Sequence, residues 1–513
     1  MRLNSNGLSN KIVLILLFLS GAMLPLAFAP INLIPLAYFS PATLFLALLY
    51  APPKVAFWRA YIFALGFFGV GVSWVFVAIN EFGNTPLILA ALLTFMFVAF
   101  IALVVGFQGM FSAWVLKQFA DSRFYLPLAV LVILPISWLL FEWIRGSIFT
   151  GFPWLNLGYS QIDTSLVYYA PILGSYALSW IVVFCSGLMI VIWNYSCSRK
   201  WRGSALYSVI LLSIFVIGYG LKSIEWTKKV DEPLQVSLVQ GNAPQITKWD
   251  ADKINNRLNI YKSLTEQHWD SDIIIWPENS LTMFYHDLKK DFLEPIEKQA
   301  IANDTDLVIG LPVQNRETGQ YYSTFMSFGL TPGVYKKTHL VPFGEFIPFE
   351  DFFRGLIAFL NLPMSGFSRG ELNQPLLKAA GQTLAITICY EDVFGEEVIR
   401  HFPEATLLVN GSNNAWYGNS FAPHQHLQIS RMRAVETGRD LMRVTTNGIS
   451  AFVNKDGELL QTSPQFETYV LTGKVQARTG ATPYVILGNH PIHIVFILFF
   501  VLIFAQRKYA VLN

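Results

Sequence analysis

Eight stretches of the chain are apolar almost without interruption. They run at about residues 11–29, 32–51, 57–79, 86–116, 125–144, 166–194, 204–221 and 490–506. Most hold close to the roughly 20 residues that a helix needs to cross about 30 Å of hydrocarbon. The run at 86–116 is longer, so a helix there tilts or extends past the bilayer. Between the seventh and eighth runs the pattern changes. Short β-rich segments recur at 234–241 (LQVSLVQG), 272–278 (DIIIWPE), 306–313 (DLVIGLPV), 384–392 (LAITICYED), 405–414 (ATLLVNGSNN) and 449–457 (ISAFVNKDG), with helical patterns at 251–268 and 422–438. Strands alternating with helices predict an α/β domain around a buried sheet. The expected organisation is a membrane domain of seven helices over 1–222, an α/β domain over 223–489, and an eighth transmembrane helix with a tail over 490–513.

Composition sharpens that division. Of 513 residues, 53% are apolar and 14% charged, against roughly 25% charged in a soluble globular chain. An aromatic content of 15% excludes disorder. A net charge of +2 leaves no field for nucleic acid. Three cysteines (Cys185, Cys197, Cys389) are too few for a disulfide framework. Only Glu81, Asp121, Glu142 and Asp163 of the 34 acidic residues precede residue 222. The first run ends in Ala27-Phe28-Ala29, which imitates a signal-peptidase site, but Pro30 follows directly and a new apolar run begins. The run is therefore expected to be a retained anchor. Basic residues gather at Arg2 and Lys11, Lys54 and Arg59, Lys117 and Arg123, Arg199 to Arg202, and Arg507 and Lys508. The alternate connections hold one, Arg145. That asymmetry predicts cytoplasmic termini and places 222–489 on the opposite side of the membrane.

Three motifs in the α/β part carry candidate chemistry. Cys389 ends the strand-like run LAITI and precedes Tyr390, Glu391 and Asp392. A nucleophile at a strand-to-helix turn stands on a rigid base, although a lone thiol is most often a buried structural residue. Glu278 ends IIIWPE, where partial burial suits a general base; an exposed strand-end glutamate is the plainer alternative. VYKKTHLVPFGE, at 334–345, offers a lysine to hold the oxyanion formed when a thiolate attacks a carbonyl, with Glu345 to pair with it. Lys336 and Lys337 are adjacent, and spacing alone does not choose between them. A basic surface turn is the plainer alternative there. Glutamate, lysine and cysteine together point to covalent acyl-transfer chemistry.

The set resembles the nitrilase superfamily, which carries a Glu-Lys-Cys triad on an αββα sandwich. WPE at 276–278, YKKTHL at 335–340 and CYED at 389–392 match its three blocks in order. The resemblance implies Glu278 as base, Lys337 as stabiliser of the intermediate and Cys389 as nucleophile. Lys337 is preferred because it stands two before His339, as in the family pattern Y-x-K-x-H. Attachment to eight membrane segments narrows the resemblance to bacterial apolipoprotein N-acyltransferases. FEWIRG (141–146), GFPWLNLGY (151–159), VQGNAPQITKW (239–249), HLVPFGEFIP (339–348) and SNNAWYG (412–418) are similar to blocks of that family.

That family moves an acyl chain from a phospholipid, through a cysteine thioester, to the α-amino group of diacylglyceryl-cysteine in apolipoproteins at the inner membrane. The resemblance implies supporting roles for Glu345, Tyr390, Glu391 and Trp249. It implies no cofactor, and nothing in the sequence suggests a metal. His424-x-His426 is the nearest metal-like spacing, and a structural or surface role is expected of it. Two other classes compete. A membrane-anchored amidase or nitrilase hydrolysing a C–N bond shares the triad but has no need of eight crossings. A transporter with a regulatory domain places ionisable residues within its helices, and here only Glu142 and Arg145 come near that. One further run, 352–367 (FFRGLIAFLNLPMSGF), is expected to be either a short buried helix with a loop or an apolar lid over the site.

Overall fold

A computed structural model describes residues 7–245, 251–346 and 366–512. The chain divides into two compact units. One comprises Met1–Phe76, Pro86–Ile224 and Leu487–Asn513, the other Val77–Thr85 and Glu225–Ile486.

The first unit is helical. All eight apolar runs form helix, but they are unequal. Among the described residues six helices are long and apolar enough to span a bilayer, and seven if one bent pair counts as a single span. The run expected at 32–51 yields only Leu36–Leu48, 13 residues that reach about 20 Å at 1.5 Å per residue. Proline flanks it on both sides, Pro35 at its N-cap and Pro52-Pro53 just beyond, and Pro41 lies within it. The run expected at 57–79 breaks after Pro53–Gly71 and resumes at Trp74–Phe82 with a bend of 52°. Gly69, Gly71 and Ser73 cluster at the break, where weak helix formers permit a kink.

Small residues let helices approach. A Cβ on Gly21 would strike the Phe63 carbonyl, and one on Gly66 the Phe18 carbonyl, so Gly7–Met23 and Pro53–Gly71 pack backbone to backbone. Arg145 ends the helix Leu134–Ser147 and fastens the following loop. It donates to Phe152 O and Trp154 O, each at 2.6 Å, and to Asn156 Oδ1 at 2.7 Å. Glu142 lies 4.0 Å from Arg145 and accepts from Leu157 N at 2.9 Å. These two ionisable residues therefore organise a loop.

The second unit holds two six-stranded sheets and a two-stranded ribbon among the described residues. In chain order the strands are β1 (Lys228–Lys229), β2 (Leu234–Gln240), β3 (Ile273–Trp276), β4 (Asp306–Gln314), β5 (Tyr321–Phe328), β6 (Gly333–Lys336), β7 (Leu377–Ala379), β8 (Gln382–Ile388), β9 (Leu407–Ser412), β10 (Leu441–Thr445), β11 (Ala451–Val453), β12 (Leu459–Thr462), β13 (Tyr469–Val475) and β14 (Arg478–Thr479). One sheet runs β13-β2-β3-β4-β5-β6 and the other β12-β11-β10-β9-β8-β7, with β1 and β14 as the ribbon. The central strands β2, β3 and β4 are parallel to one another, as are β8, β9 and β10.

Side-chain alternation builds the layers. Ile273 and Ile275 join Val236, Leu238, Ile386, Ile388, Leu407 and Val409 in one core between the two sheets. Ile274 and Trp276, on the opposite face, pack with Tyr261, Ile296 and Ala300 from the helices Ile254–Glu266 and Glu294–Ala302. Ala385 and Leu408 face Leu427 and Ala434 of the helix Ala422–Thr437. The result is an αββα sandwich. The turn Ala78–Phe82 belongs to this unit by contact. A Cβ on Gly418 would lie 3.4 Å from Val77 and 3.5 Å from Phe82.

Candidate active site

Each candidate side chain follows a strand. Glu278 comes after β3 and Pro277, Lys337 directly after β6, and Cys389 directly after β8. Strand ends are rigid, and in α/β sheets their carboxyl ends collect chemistry. Gly310 of β4 sits where a Cβ would strike the Pro277 carbonyl, and Ser280 N donates to Gly310 O at 2.9 Å, so the turn bearing Glu278 lies tight on its neighbour strand. Cys389 starts the turn Cys389–Val393 at φ +52°, a left-handed conformation costly for any residue with a Cβ.

The long-range contacts bring three of the predicted residues into one ion cluster. The Lys337 ammonium donates to Glu278 Oε1 at 3.0 Å and to Glu345 Oε1 at 2.6 Å. Its side chain is fully buried. The second oxygens are also used: Asn413 N donates to Glu278 Oε2 at 3.0 Å, and Val341 N to Glu345 Oε2 at 2.8 Å. Burial disfavours the Lys337 charge, but Glu278 and Glu345 outweigh it and hold its pKa well above the ordinary value. Burial, eased by Lys337 and reinforced by Glu278, lifts the Glu345 pKa. Burial also pushes the Cys389 thiol up, with Glu278 adding to the effect and Lys337 opposing it. Cys389 therefore rests as a thiol, and an attack by its sulfur would need a base.

Glu391 ties the lysine segment to the cysteine. Its Oε1 accepts from Thr338 N (2.5 Å), Thr338 Oγ1 (2.9 Å) and His339 N (3.1 Å), while Oε2 accepts from Ile388 N at 2.6 Å. Tyr335 donates to it from 3.2 Å. Burial raises the Glu391 pKa despite these donors. Tyr390 packs its ring against Phe394 and His339, with centroids 5.2 and 5.9 Å away. Trp249 lies outside the described residues, and so does the run at 352–367 except for Gly366 and Phe367. Both of those residues donate their N–H to Glu345 O, and Phe367 is buried.

Two residues escaped the sequence reading. Asn413 supplies the backbone N–H to Glu278. Tyr417 is half-buried, and desolvation and the nearby Cys389 raise its pKa far above the ordinary value. Both lie in SNNAWYG, a block that was legible without assigned roles. His426, of the metal-like pair, is instead buried against Asp392 at 2.8 Å. Among the described residues no group of three or more His, Cys, Asp or Glu side chains is placed to hold a metal ion.

A two-sheet sandwich with acid, lysine and thiol at its strand ends defines a carbon–nitrogen hydrolase domain, and residues 235–484 match that family. Residues 20–188 match the apolipoprotein N-acyltransferase N-terminal domain. Across nearly its whole length the chain is similar to apolipoprotein N-acyltransferases. It is 39% identical over 478 residues to that of Methylococcus capsulatus, covering 93% of each chain. It is 38% identical over 491 residues to that of Coxiella burnetii, covering 96% of this chain and 99% of the relative. It is 40% identical over 483 residues to that of Nitrosomonas europaea, covering 93% and 94%. The chain belongs to the apolipoprotein N-acyltransferase family.

Proposed function

We propose that this protein is a membrane-bound N-acyltransferase that moves an acyl chain from a phospholipid, through a thioester on Cys389, to the α-amino group of an apolipoprotein's N-terminal diacylglyceryl-cysteine. The observation that carries this reading is the buried Glu278–Lys337–Glu345 cluster, whose charges act on the Cys389 thiol.

Glu278 takes the thiol proton as Cys389 Sγ attacks the phospholipid ester carbonyl. Lys337 and a backbone N–H stabilise the tetrahedral oxyanion. The intermediate collapses, the ester C–O bond breaks, and the lysophospholipid alkoxide leaves with the proton from Glu278. The lipoprotein amine then attacks the thioester. Glu278 accepts a proton from the nitrogen, the C–S bond breaks, and Cys389 leaves as the thiol. Glu345, Tyr390 and Glu391 hold the lysine and the nucleophile in place, and Trp249 takes part in the same site. No cofactor enters either half-reaction.

Both substrates reside in a bilayer, and the catalytic unit is one chain with apolar helices. That covalent tether raises the effective concentration of thiol and ester. The proposed topology has eight crossings in the bacterial inner membrane, the short helix Leu36–Leu48 included. Both termini are cytoplasmic and residues 223–489 face the periplasm, as the basic residues favour. A reporter after Lys508 is then active in the cytoplasm and one near Asn315 in the periplasm; activity of both on one side would refute this arrangement.

Incubating the protein with phospholipid should release lysophospholipid and leave an acyl adduct on Cys389, read by mass spectrometry. Cys389→Ala should lack the adduct while still inserting in the membrane. An adduct on Cys389→Ala refutes the nucleophile. Hydrolysis of small amides with no lysophospholipid would favour a membrane-anchored nitrilase.

A further inference from the structure

Behind the nucleophile lies a second polar cluster that the acyl-transfer steps above do not use. Asp392, Asn410, Asn414, His426, Ser430 and Arg443 are all almost fully buried. Two of them reach the same atom. Asn410 Nδ2 donates to the Cys389 carbonyl at 3.2 Å, and His426 Nε2 lies 3.3 Å from that oxygen. His426 Nε2 also stands 2.8 Å from Asp392 Oδ1, and Asn414 Nδ2 lies 3.4 Å from His426 Nδ1. Two acceptors facing Nε2 place the imidazole proton there, with Nδ1 accepting.

Arg443 closes the cluster. It donates to Asn410 Oδ1 at 2.5 Å, to Ser430 Oγ at 2.7 Å and to Asn414 Oδ1 at 3.2 Å, and it stands 3.5 Å from Asp392. Ser430 Oγ in turn contacts Asp392 Oδ2. Burial holds the His426 pKa below its ordinary value. Burial alone would raise that of Asp392, but His426 and Arg443 outweigh it and keep the carboxylate charged. A neutral imidazole thus sits within an Asp–Arg pair that balances its own charge.

The carbonyl so gripped belongs to a residue at φ +52°. That conformation is unfavourable for a side-chain-bearing residue and persists only when its surroundings over-determine it. That strain lies in the rotation about N–Cα; the following peptide plane is set by the rotation about Cα–C, which the two groups on the carbonyl hold. In a trans peptide the C=O of one residue and the N–H of the next point in opposite directions. Fixing the Cys389 carbonyl therefore fixes the direction of the Tyr390 N–H.

We propose that Asp392, Asn410, His426 and Arg443 are positioning residues that lock the Cys389–Tyr390 peptide plane, so that the Tyr390 N–H points away from the cluster and serves as the backbone oxyanion donor. Glu391 and Asp392 then divide the work. Glu391 holds the lysine segment, and Asp392 orients the imidazole that holds the nucleophile's carbonyl. The idea rests on Cys389 being the nucleophile.

The test compares two reactions of the same thiol in the full-length, detergent-solubilised protein. Iodoacetamide alkylates sulfur at a saturated carbon and forms no oxyanion, whereas acylation by phospholipid does. His426→Phe keeps a ring and removes the donor. It should slow acylation of Cys389 by about 10²-fold, the scale of one lost oxyanion donor. The phospholipid concentration at half-maximal rate and the alkylation rate of the Cys389 peptide should stay within about twofold of the parent, a spread well short of that loss. His426→Gln, which restores an N–H, should recover much of the acylation rate. Asn410→Asp sets an oxygen against the Cys389 carbonyl and should show the same split, which covers the case in which His426→Phe does not fold. Equal losses in both reactions, or unchanged acylation in both variants, would overturn the proposal. An acylated Cys389→Ala variant would instead overturn the nucleophile assignment itself.

Discussion

Both units bury charge, and the two arrangements differ in what is left over. In the helical unit Arg145 spends its donors on Phe152 O, Trp154 O and Asn156, and Glu142 accepts from Leu157 N. One cation and one anion bind the chain just beyond them, which is loop architecture. In the α/β unit two carboxylates share one ammonium, and the same charges act on a thiol that follows a strand of the other sheet. An excess of acid beside a buried thiol suits proton movement. The count of partners, more than the presence of buried charge, separates a structural pair from a chemical one.

Cutting each cluster should therefore give opposite phenotypes. The largest effect is expected from Arg145→Leu, which strands the Glu142 carboxylate and frees three loop acceptors. Loss of one member of a buried pair costs about 3–5 kcal/mol, so thermal unfolding in detergent should shift down strongly while Cys389 in the surviving folded fraction still alkylates at the parent rate. A variant that stays fully stable would make the pair dispensable and weaken the comparison. Lys337→Ala should do the reverse. Its acylation rate should fall by about 10²–10³ through loss of oxyanion stabilisation, measured as lysophospholipid released in a single turnover. Wild-type turnover would remove the lysine from the chemistry.

A smaller effect is expected from Glu391→Gln. One amide cannot accept from the Thr338, His339 and Ile388 N–H groups as a carboxylate does, and an unmet buried donor costs about 1–3 kcal/mol. The acylation rate and the melting temperature should fall together. A change in rate with no change in stability would give Glu391 a direct chemical role.

The smallest effect is a pH dependence. Burial, with Arg400 adding to it, lowers the His401 pKa to about 4, against about 6.5 in an unfolded chain. Between these values the unfolded chain takes up a proton that the folded one refuses. The stability involved is present above pH 6.5 and is lost as pH falls toward 4, the loss reaching about 2 kcal/mol at pH 5. His401→Phe, which keeps an aromatic ring beside Tyr335, should show a smaller drop in melting temperature from pH 7 to pH 5 than the parent. Identical slopes would show that His401 is protonated in the fold.

Much of this was legible along the chain. The eight apolar runs all form helix because a long apolar stretch declares its own solvent, independent of its neighbours in the chain. The β-rich runs became strands, and Cys389 and Glu278 lie just past the ends of β8 and β3, because a short apolar run rich in β-branched residues is a local signal of a buried strand. The prolines flanking and inside Leu36–Leu48 were also written in the sequence. Hydropathy averages over them, as it does over the bend after Gly71. The choice between Lys336 and Lys337 is different in kind. Consecutive residues at a strand end face opposite ways. Which way each faces depends on the sheet, and here the Lys336 ammonium lies 4.5 Å from the Tyr322 ring centroid while Lys337 is buried among the acids. The grip of Asn410 and His426 on the Cys389 carbonyl was out of reach altogether. Those residues stand 21 and 37 positions away, and no spacing rule describes them. The sequence determined the solvent of each segment and the residue types at each strand end, since those follow from local composition and period. Only the stacking of two sheets decided which of those side chains share a buried volume, because burial against distant strands is a property of the packed chain.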